Sequence, residues 1–508
     1  MRVTNNMIMK NSIRNINRTK EQTSKLNDQM TSQKKITKAS EDPVIAIRSL
    51  RLRDQQSQIT QYLENNINDA ETWMENTEEA LENIKSALND IYANLDDAVN
   101  GTNTLENKKT ILDALIQLRG EVYEEANADL NGRTLFTGYK TNSTLTFLEE
   151  STDSYENIAE SFSYTDMSEH DYYTASSDVP TMTTLSGGTY NESTAVTYAE
   201  KYTYNRLRLS YGDIETGSAS GLTISYGSTS NTYSVTSSVT INGTATDLTL
   251  DSFQEYLASG GTVGANQVYV LHDTGELVLG SDIAEELFNN KGKASLTYDK
   301  TGFDRDEIRP ELYFSCTNAT TGVTYTKETQ SIEYTISSNT TLVVNKEGSD
   351  FLTANPYRDI SDYIDAMDAA IAAQEKVNQI QSLMDSSTYA GDEDVQAYLA
   401  NLMKAAQSEL DYAEDNVDNL FSKGLTAFQG YISDLASAIS DVGNKGDQLD
   451  LVKSRMSSQK STVKELISDN EDLELSEIVI EYTAAYNAYE AALLAASKAS
   501  DNTLLDYL

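Results

Sequence analysis

Histidine and cysteine are almost missing from this chain: His170, His272 and Cys316 are the only three in 508 residues. Neither histidine stands in a His-Glu-x-x-His arrangement and one cysteine supplies no zinc cluster, so no metal-ligating residue is assigned. A lone cysteine closes no disulfide within the chain, and Cys316 reads as a buried structural thiol. Also missing are a Walker loop, a Gly-x-Ser-x-Gly elbow and a Gly-x-Gly-x-x-Gly turn after a strand. Carboxylate pairs abound only because there are 79 Asp and Glu, so they carry no glycosidase signal. No catalytic residue and no cofactor are therefore expected, and the chain does not read as an enzyme. Long apolar runs are absent too: none approaches the roughly 20 residues of a membrane span. The opening MRVTNNMIMKNSIRNINRTK lacks the apolar core and small-residue cleavage site of a secretory signal, which leaves the cytosol or export without a cleaved signal. Basic residues are few, and a net charge of -41 excludes nucleic acid as a partner, because a polyanion repels phosphate.

What the chain does have is helical patterning at both ends. Glu471 to Leu508 contains no Pro or Gly. Within it Leu475, Val479, Tyr482, Tyr486, Tyr489, Leu493 and Ala496 recur at alternating steps of four and three, and Leu508 keeps the segment apolar to its last position. Such a seam wants a coiled-coil partner. Ala484, Ala485, Ala488, Ala491, Ala492 and Ala495 spread small residues round the rest, so a single partner helix would not cover it. Docking on its own domain is one reading of this helix, and burial among neighbouring copies is the other. The apolar end favours the second.

Charge separates the two ends. Residues 1–53 hold twelve Lys or Arg against four Asp or Glu, whereas residues 469–508 hold nine acids and only Lys498. The ends are thus complementary. Met9, Ile13, Ile16, Leu26, Met30 and Ile36 give the basic arm a thin apolar stripe, too polar to hold a helix unaided. Asp42-Pro43 then reads as a helix cap followed by a first-turn proline. From Ile59 the pattern is strong: Leu63, Ile67, Ala70, Met74, Thr77, Leu81, Ile84, Leu88, Ile91, Leu95 and Ala98 keep four-three spacing and mark a long helix. Gly101 breaks it, and Ile111, Leu115, Leu118 and Val122 return as a second helix ending before Asn131-Gly132. Trp73 and its Met neighbours read as core filling.

After residue 141 the composition shifts to Ser, Thr, Tyr and Gly. Leu222–Tyr226, Thr232–Val235, Gln267–Val270 and Ile332–Ile336 read as strands, and Ser252–Leu257 and Ser281–Phe288 as short helices. Residues 150–195 lack periodicity and read as flexible. Helical patterning returns after Asn355-Pro356. The fold class is therefore α+β and multidomain: long N- and C-terminal helices bundled into a coiled-coil rod, with a mainly β central insertion. Three domains are expected: 1–42 with 468–508, a terminal coiled coil disordered in the monomer; 43–141 with 351–467, a helical rod; and 142–350, a variable β domain facing outward.

Four segments carry a resemblance. MRVTNNMI at the start, KKITKASEDP at 34–43, NGRTLFTG at 131–138 and the ending YEAALLAASKASDNTLLDYL resemble the hook-associated protein 3 family, the hook–filament junction proteins of the flagellin superfamily. The resemblance covers roughly 1–140 and 345–508, and the insertion lies outside it. It implies a structural subunit of the bacterial flagellum, exported by the flagellar type III apparatus to the cell exterior. It also implies a homo-oligomeric ring between hook-associated protein 1 and flagellin, with an export chaperone as a cytosolic partner. A flagellin that forms the filament itself is the alternative within that class. An adhesin or glycan-binding module in 142–350 is the alternative outside it.

Overall fold

A computed structural model describes residues 5–100 and 103–501. Four helices open it. α1 (Asn5–Ser32) leads through residues 33–42 to α2 (Pro43–Gln61). Asp42 sits in extended backbone and its carboxylate accepts from the amides of Val44 (2.9 Å) and Ile45 (3.2 Å), the cap expected ahead of Pro43. One π-helical turn, Tyr62–Asn66, carries the chain into α3 (Ile67–Ala98). Every seam position read from Ile67 to Ala98 is buried, and Leu63, inside the π turn, is half-buried. Gly101, the expected break, lies outside the described residues. α4 (Leu105–Glu125) returns, capped by Thr104, and a hairpin follows from β1 (Asp129–Leu130) to β2 (Arg133–Thr134). Its turn residues have positive φ, Asn131 at 56° and Gly132 at 77°, which Asn-Gly tolerates best.

The central region runs β3 (Ser151–Ser163), β4 (Ser168–Tyr173), α5 (Met182–Gly187), β5 (Lys201–Arg208), β6 (Leu222–Tyr226), β7 (Thr229–Tyr233), β8 (Val235–Thr236), β9 (Ser238–Ile241) and β10 (Thr244–Asp247). Then come α6 (Leu250–Ala258), β11 (Val268–Leu271), β12 (Glu276–Leu279), α7 (Ser281–Asn289), β13 (Lys293–Phe303), α8 (Pro310–Tyr313), β14 (Ser315–Asn318) and β15 (Val323–Tyr325). A last hairpin, β16 (Glu333–Ser337) and β17 (Thr340–Val343), precedes three helices: α9 (Asn355–Met384), α10 (Glu393–Glu471) and α11 (Leu475–Asp501). The α+β class is as the sequence reads, with long helices at both ends and a β-rich middle. Both short helices expected in the insertion form, as α6 and α7.

Residues 150–195 correct the sequence reading. They are not a flexible tract, because β3 is an inner strand of a six-stranded sheet ordered β15-β14-β3-β13-β6-β7. Two features hide its alternation. Asn157 adopts a φ of 54° at a bulge, where the register against β13 shifts, and an acid, Glu160, occupies an inward position. Glu160 is tolerated there because it accepts from Tyr298 Oη (2.7 Å) and Ser210 Oγ (2.6 Å), while burial pushes its pKa up. Beyond β4, which edges a five-stranded sheet ordered β4-β5-β12-β11-β8, residues 176–196 lie on α9 and α10. Leu185 packs with Ile380, Tyr389 and Leu402, and Lys376 Nζ donates to the Ser176 carbonyl at 2.9 Å and to Glu409 at 2.8 Å.

The chain divides into two compact units, one drawn from residues 1–72, 334–342 and 446–508, the other from 73–333 and 343–445. We call them the terminal and the central unit. In the central unit the helices meet around Gly424, where a Cβ would stand 2.1 Å from Tyr363 Oη and 3.3 Å from Leu95 Cδ1. α3, α9 and α10 converge there with no room for a side chain, and Phe421 meets Tyr363 edge-on at 5.2 Å. Trp73 is buried under the Arg133 guanidinium, 5.0 Å from its ring, as core filling. Cys316 is buried in β14 and burial pushes its thiol up to about 12, which makes it inert. In the terminal unit Leu449, Val452, Met456 and Val463 of α10 are buried, Lys453 and Lys460 pair with Glu71 and Glu64 at 2.6 Å, and Asn66 Nδ2 donates to the Thr335 carbonyl of the β16 strand at 2.7 Å.

Candidate functional site

The terminal unit holds the seam residues, and what they meet follows from helix geometry. α1 packs antiparallel against α11: the end of α1 meets the start of α11 at the Lys34–Asp472 bridge, and Leu26 and Met30 cluster with Ile478, Tyr482 and Ala485. Along α11 the buried or half-buried positions are Ile478, Tyr482, Ala485, Tyr489, Ala492 and Ala496, at steps of four and three. On α1 the matching positions are Ser12, Ile16, Thr19, Thr23, Leu26 and Met30, with the same steps. A two-helix seam therefore exists within one chain.

It shares only half of the seam read from the sequence. Tyr482, Tyr489 and Ala496 are half-buried on this face, whereas Leu475, Val479, Tyr486 and Leu493 are at least 43% exposed. Leu508 lies outside the described residues. With Ile480 (70%) and Leu494 (60%), the exposed set forms a second apolar flank beside the first. The broad apolar circumference of this helix has the consequence expected of it: one partner helix leaves a flank uncovered. Ile478 and Ala485 were legible only as small or apolar residues one step off the chosen register, and periodicity does not say which of two overlapping seams an intrachain partner takes. On α1, Met9 and Ile13 are exposed, and on α2 so are Val44, Ile47 and Leu50.

At the base of the α1–α11 pair the chain leaves both helices at one level. Gln33 turns with a φ of 56°, Lys35 N donates to the Glu471 carbonyl (2.7 Å) and Leu473 N to the Gln33 carbonyl (3.0 Å). Lys34 Nζ reaches Asp472 at 2.5 Å and Glu471 at 3.3 Å. The Glu471 side chain is buried and is held from α2 as well: Arg53 donates through Nε (2.9 Å) and Nη2 (2.7 Å), and Ser49 Oγ adds a hydrogen bond. These donors, Arg53 foremost, hold the Glu471 carboxyl down at about 2. Asn470 Nδ2 ties the same turn to the Ile45 carbonyl at 3.1 Å. The charge complementarity of the two ends is realised at this joint, where Lys34 of the KKITKASEDP segment and Arg53 of α2 meet Glu471 and Asp472.

The central unit has its own charge cluster, of different character. Arg206 bridges Glu276 and Asp362, Arg208 bridges Asp362 (2.9 Å) and Asp359 (2.5 Å), Tyr172 Oη donates to Glu276 (2.6 Å) and Tyr431 Oη to Asp359 (2.7 Å). Its acids and bases answer one another and tie β5 and β12 to α9. A cavity of about 590 Å³ beside it is lined by Arg206, Arg208, Asp359, Asp362 and Tyr431 of this cluster. No group of His, Cys, Asp and Glu among the described residues could hold a metal ion, and none of the described helices is long and apolar enough to cross a membrane.

Comparison with known proteins agrees with the motifs at the N-terminal end. Residues 3–141 match the family of the bacterial flagellin N-terminal helical region. No curated protein sequence matches the chain. Among solved structures, the chain is similar to one described as a flagellar hook-associated protein from Vibrio parahaemolyticus, at 13% identity and a TM-score of 0.34 over 85% of this chain and 100% of that one. It is also similar to the flagellar junction protein FlgL of Legionella pneumophila, at 12% identity and a TM-score of 0.30 over 83% and 99%. FlgL of Xanthomonas campestris gives 11% and 0.26 over 82% and 99%. The family match ends at residue 141, just past the β1–β2 hairpin, so it spans the four N-terminal helices and that hairpin.

Proposed function

We propose that this chain is a structural subunit of the bacterial flagellum, the adaptor of the hook–filament junction, and that it works by assembly rather than by catalysis. The observation that carries the reading is the second apolar flank of α11. A terminal helix paired with α1 yet exposing Leu475, Val479, Tyr486 and Leu493 has a face left for neighbouring copies, within the unit that begins with the flagellin-type region. Residues 1–42 with 468–508 act as the assembling domain, 43–141 with 351–467 as the helical rod, and 142–350 as the outward β domain. The subunits form a ring that meets hook-associated protein 1 on one side and flagellin on the other. An export chaperone covers the apolar C-terminal helix before the chain leaves the cell without a cleaved signal. The flagellin-type match also favours a second reading, a flagellin that builds the filament itself. Electron microscopy of purified protein under polymerising conditions separates the two: the adaptor reading expects no long filaments, and their growth overturns it in favour of flagellin.

A further inference from the structure

The joint at the base of the α1–α11 pair has more to it than a chain connection. Two chain segments cross there, 33–42 and 472–474, and both are free of regular helix. Two unwound segments side by side form a place where a helical pair can swing, because the backbone hydrogen bonds that stiffen a helix are missing at that level. Two backbone bonds between the segments, Asn470 and the Lys34–Asp472 pair oppose the swing, and one side chain ties three elements at once. Glu471 is the last residue of α10, and its carboxylate takes a bidentate Arg53 and a Ser49 hydroxyl from α2 together with Lys34 from the segment after α1. A bidentate guanidinium fixes direction as well as distance. Glu471 is 6% exposed, so its charge needs these donors, while Lys34 and Arg53 are 40% and 59% exposed at their side chains and lie open to salt.

We propose that Glu471 is a positioning residue: by clasping α2, the end of α10 and the segment after α1, it sets the direction in which α11 presents its uncovered flank. The clasp is a feature of the single chain. The use made of that direction rests on the assembly reading given above. Arg48 and Arg51, on the same helix as Arg53, do not reach Glu471 among the described contacts and serve as controls of equal charge.

The joint reports on itself through Lys34 and Lys35, half-buried trypsin sites in the unwound segment beside the clasp. In the purified full-length chain, Glu471→Gln is expected to raise cleavage after Lys34 and Lys35 roughly tenfold, the size of effect that loss of one charge-assisted bond produces. Arg53→Gln, a surface change that leaves the fold in place, gives the same increase, and the double variant is no worse than either single one. Arg51→Gln leaves cleavage unchanged, and raising salt accelerates wild type towards the variants. Unchanged cleavage in both Glu471→Gln and Arg53→Gln, or additive effects in the double variant, overturns the clasp. In motile cells the clasp variants are expected to lose junctions in proportion to the opened joint. Variants that open the joint yet assemble normally overturn the positioning role and leave the assembly reading intact. Normal assembly of a Leu493→Asp chain overturns the assembly reading and leaves the clasp standing.

Discussion

The two units of the molecule handle apolar surface in opposite ways. Of the twenty large hydrophobic side chains exposed among the described residues, fourteen belong to the terminal unit, although it holds under a third of the chain. The central unit buries its large side chains between helices and sheets and answers Arg206 and Arg208 with carboxylates. Its six exposed large hydrophobics, Tyr139, Leu148, Met182, Tyr198, Phe288 and Val323, are scattered along the sequence. Twelve of the fourteen in the terminal unit fall in sets on α1, α2 and α11, the other two, Leu451 and Leu466, being on α10. A domain that folds for itself closes its surface, whereas one that folds to be joined leaves apolar stripes at helical spacing.

That contrast can be broken or sharpened by experiment, and the largest effect is expected at Leu493. It is 43% exposed in the single chain, so Leu493→Asp should leave the thermal stability of the monomer almost unchanged. If the flank is buried by neighbouring copies, each copy then carries an unpaired carboxylate costing several kcal/mol. The expected outcome is protein released into the medium and cells without attached filaments. Normal swimming by these cells removes the flank from the assembly surface.

Next comes the core of the central unit. Phe421 is fully buried against Tyr363, and Phe421→Ala should destabilise that unit by about 3–5 kcal/mol in urea unfolding. A much smaller loss would mean that the convergence at Gly424 is loosely packed. Hydrogen exchange extends the comparison to the backbone: in the soluble monomer, residues 476–496 should exchange much faster than residues 400–440, because α11 is anchored chiefly by Ile478 and Ala485 against Leu26. Equal protection would show that the α1–α11 pair is stable without neighbours and that its folding is not coupled to assembly.

Acid gives a test specific to the central unit. His170 is half-buried at the edge of the Arg206–Glu276 cluster, and desolvation, with Arg206 adding to it, lowers its pKa from 6.5 to about 4. The unfolded chain therefore binds a proton that the folded one refuses, and stability should fall as pH drops from about 6.5 to about 4. Asp365 acts in the opposite sense, because burial and Asp362 raise it from 3.8 to about 6, so its contribution is present at low pH and lost as pH rises through 6. Lys423, Glu276 and Asp362 also act on His170. His170→Gln should remove only the first of these slopes, measured as unfolding midpoint against pH. An unchanged profile would rule out His170 as its source. The smallest effect is expected from Lys498→Gln, an exposed charge whose loss is worth about 0–1 kcal/mol; filaments should still attach.

Much of this protein was legible because its signals are local and periodic. The Ile67–Ala98 seam, the Asp42-Pro43 helix start, the Asn131-Gly132 turn and the two short helices of the insertion each follow from a few neighbouring residues, and the structure has them where the sequence puts them. The strand β3 was illegible for the converse reason. A bulge at Asn157 shifts the period and a carboxylate fills an inward place, and both make sense only beside Tyr298, Ser210 and the neighbouring strands.

The C-terminal helix divides in the same way. The sequence by itself determined that α11 is apolar over more of its circumference than one partner can cover, because that follows from composition at 100° per residue. Which residues face α1 was a tertiary decision: Ile478 and Ala485 go inward and Leu475, Val479, Tyr486 and Leu493 stay out, since the joint fixes how the pair begins. Opposite charge at the two ends was likewise written in the sequence. That Glu471 in particular meets Ser49, Arg53 and Lys34 required the fold, because those residues lie more than four hundred positions away and only packing brings them to one carboxylate.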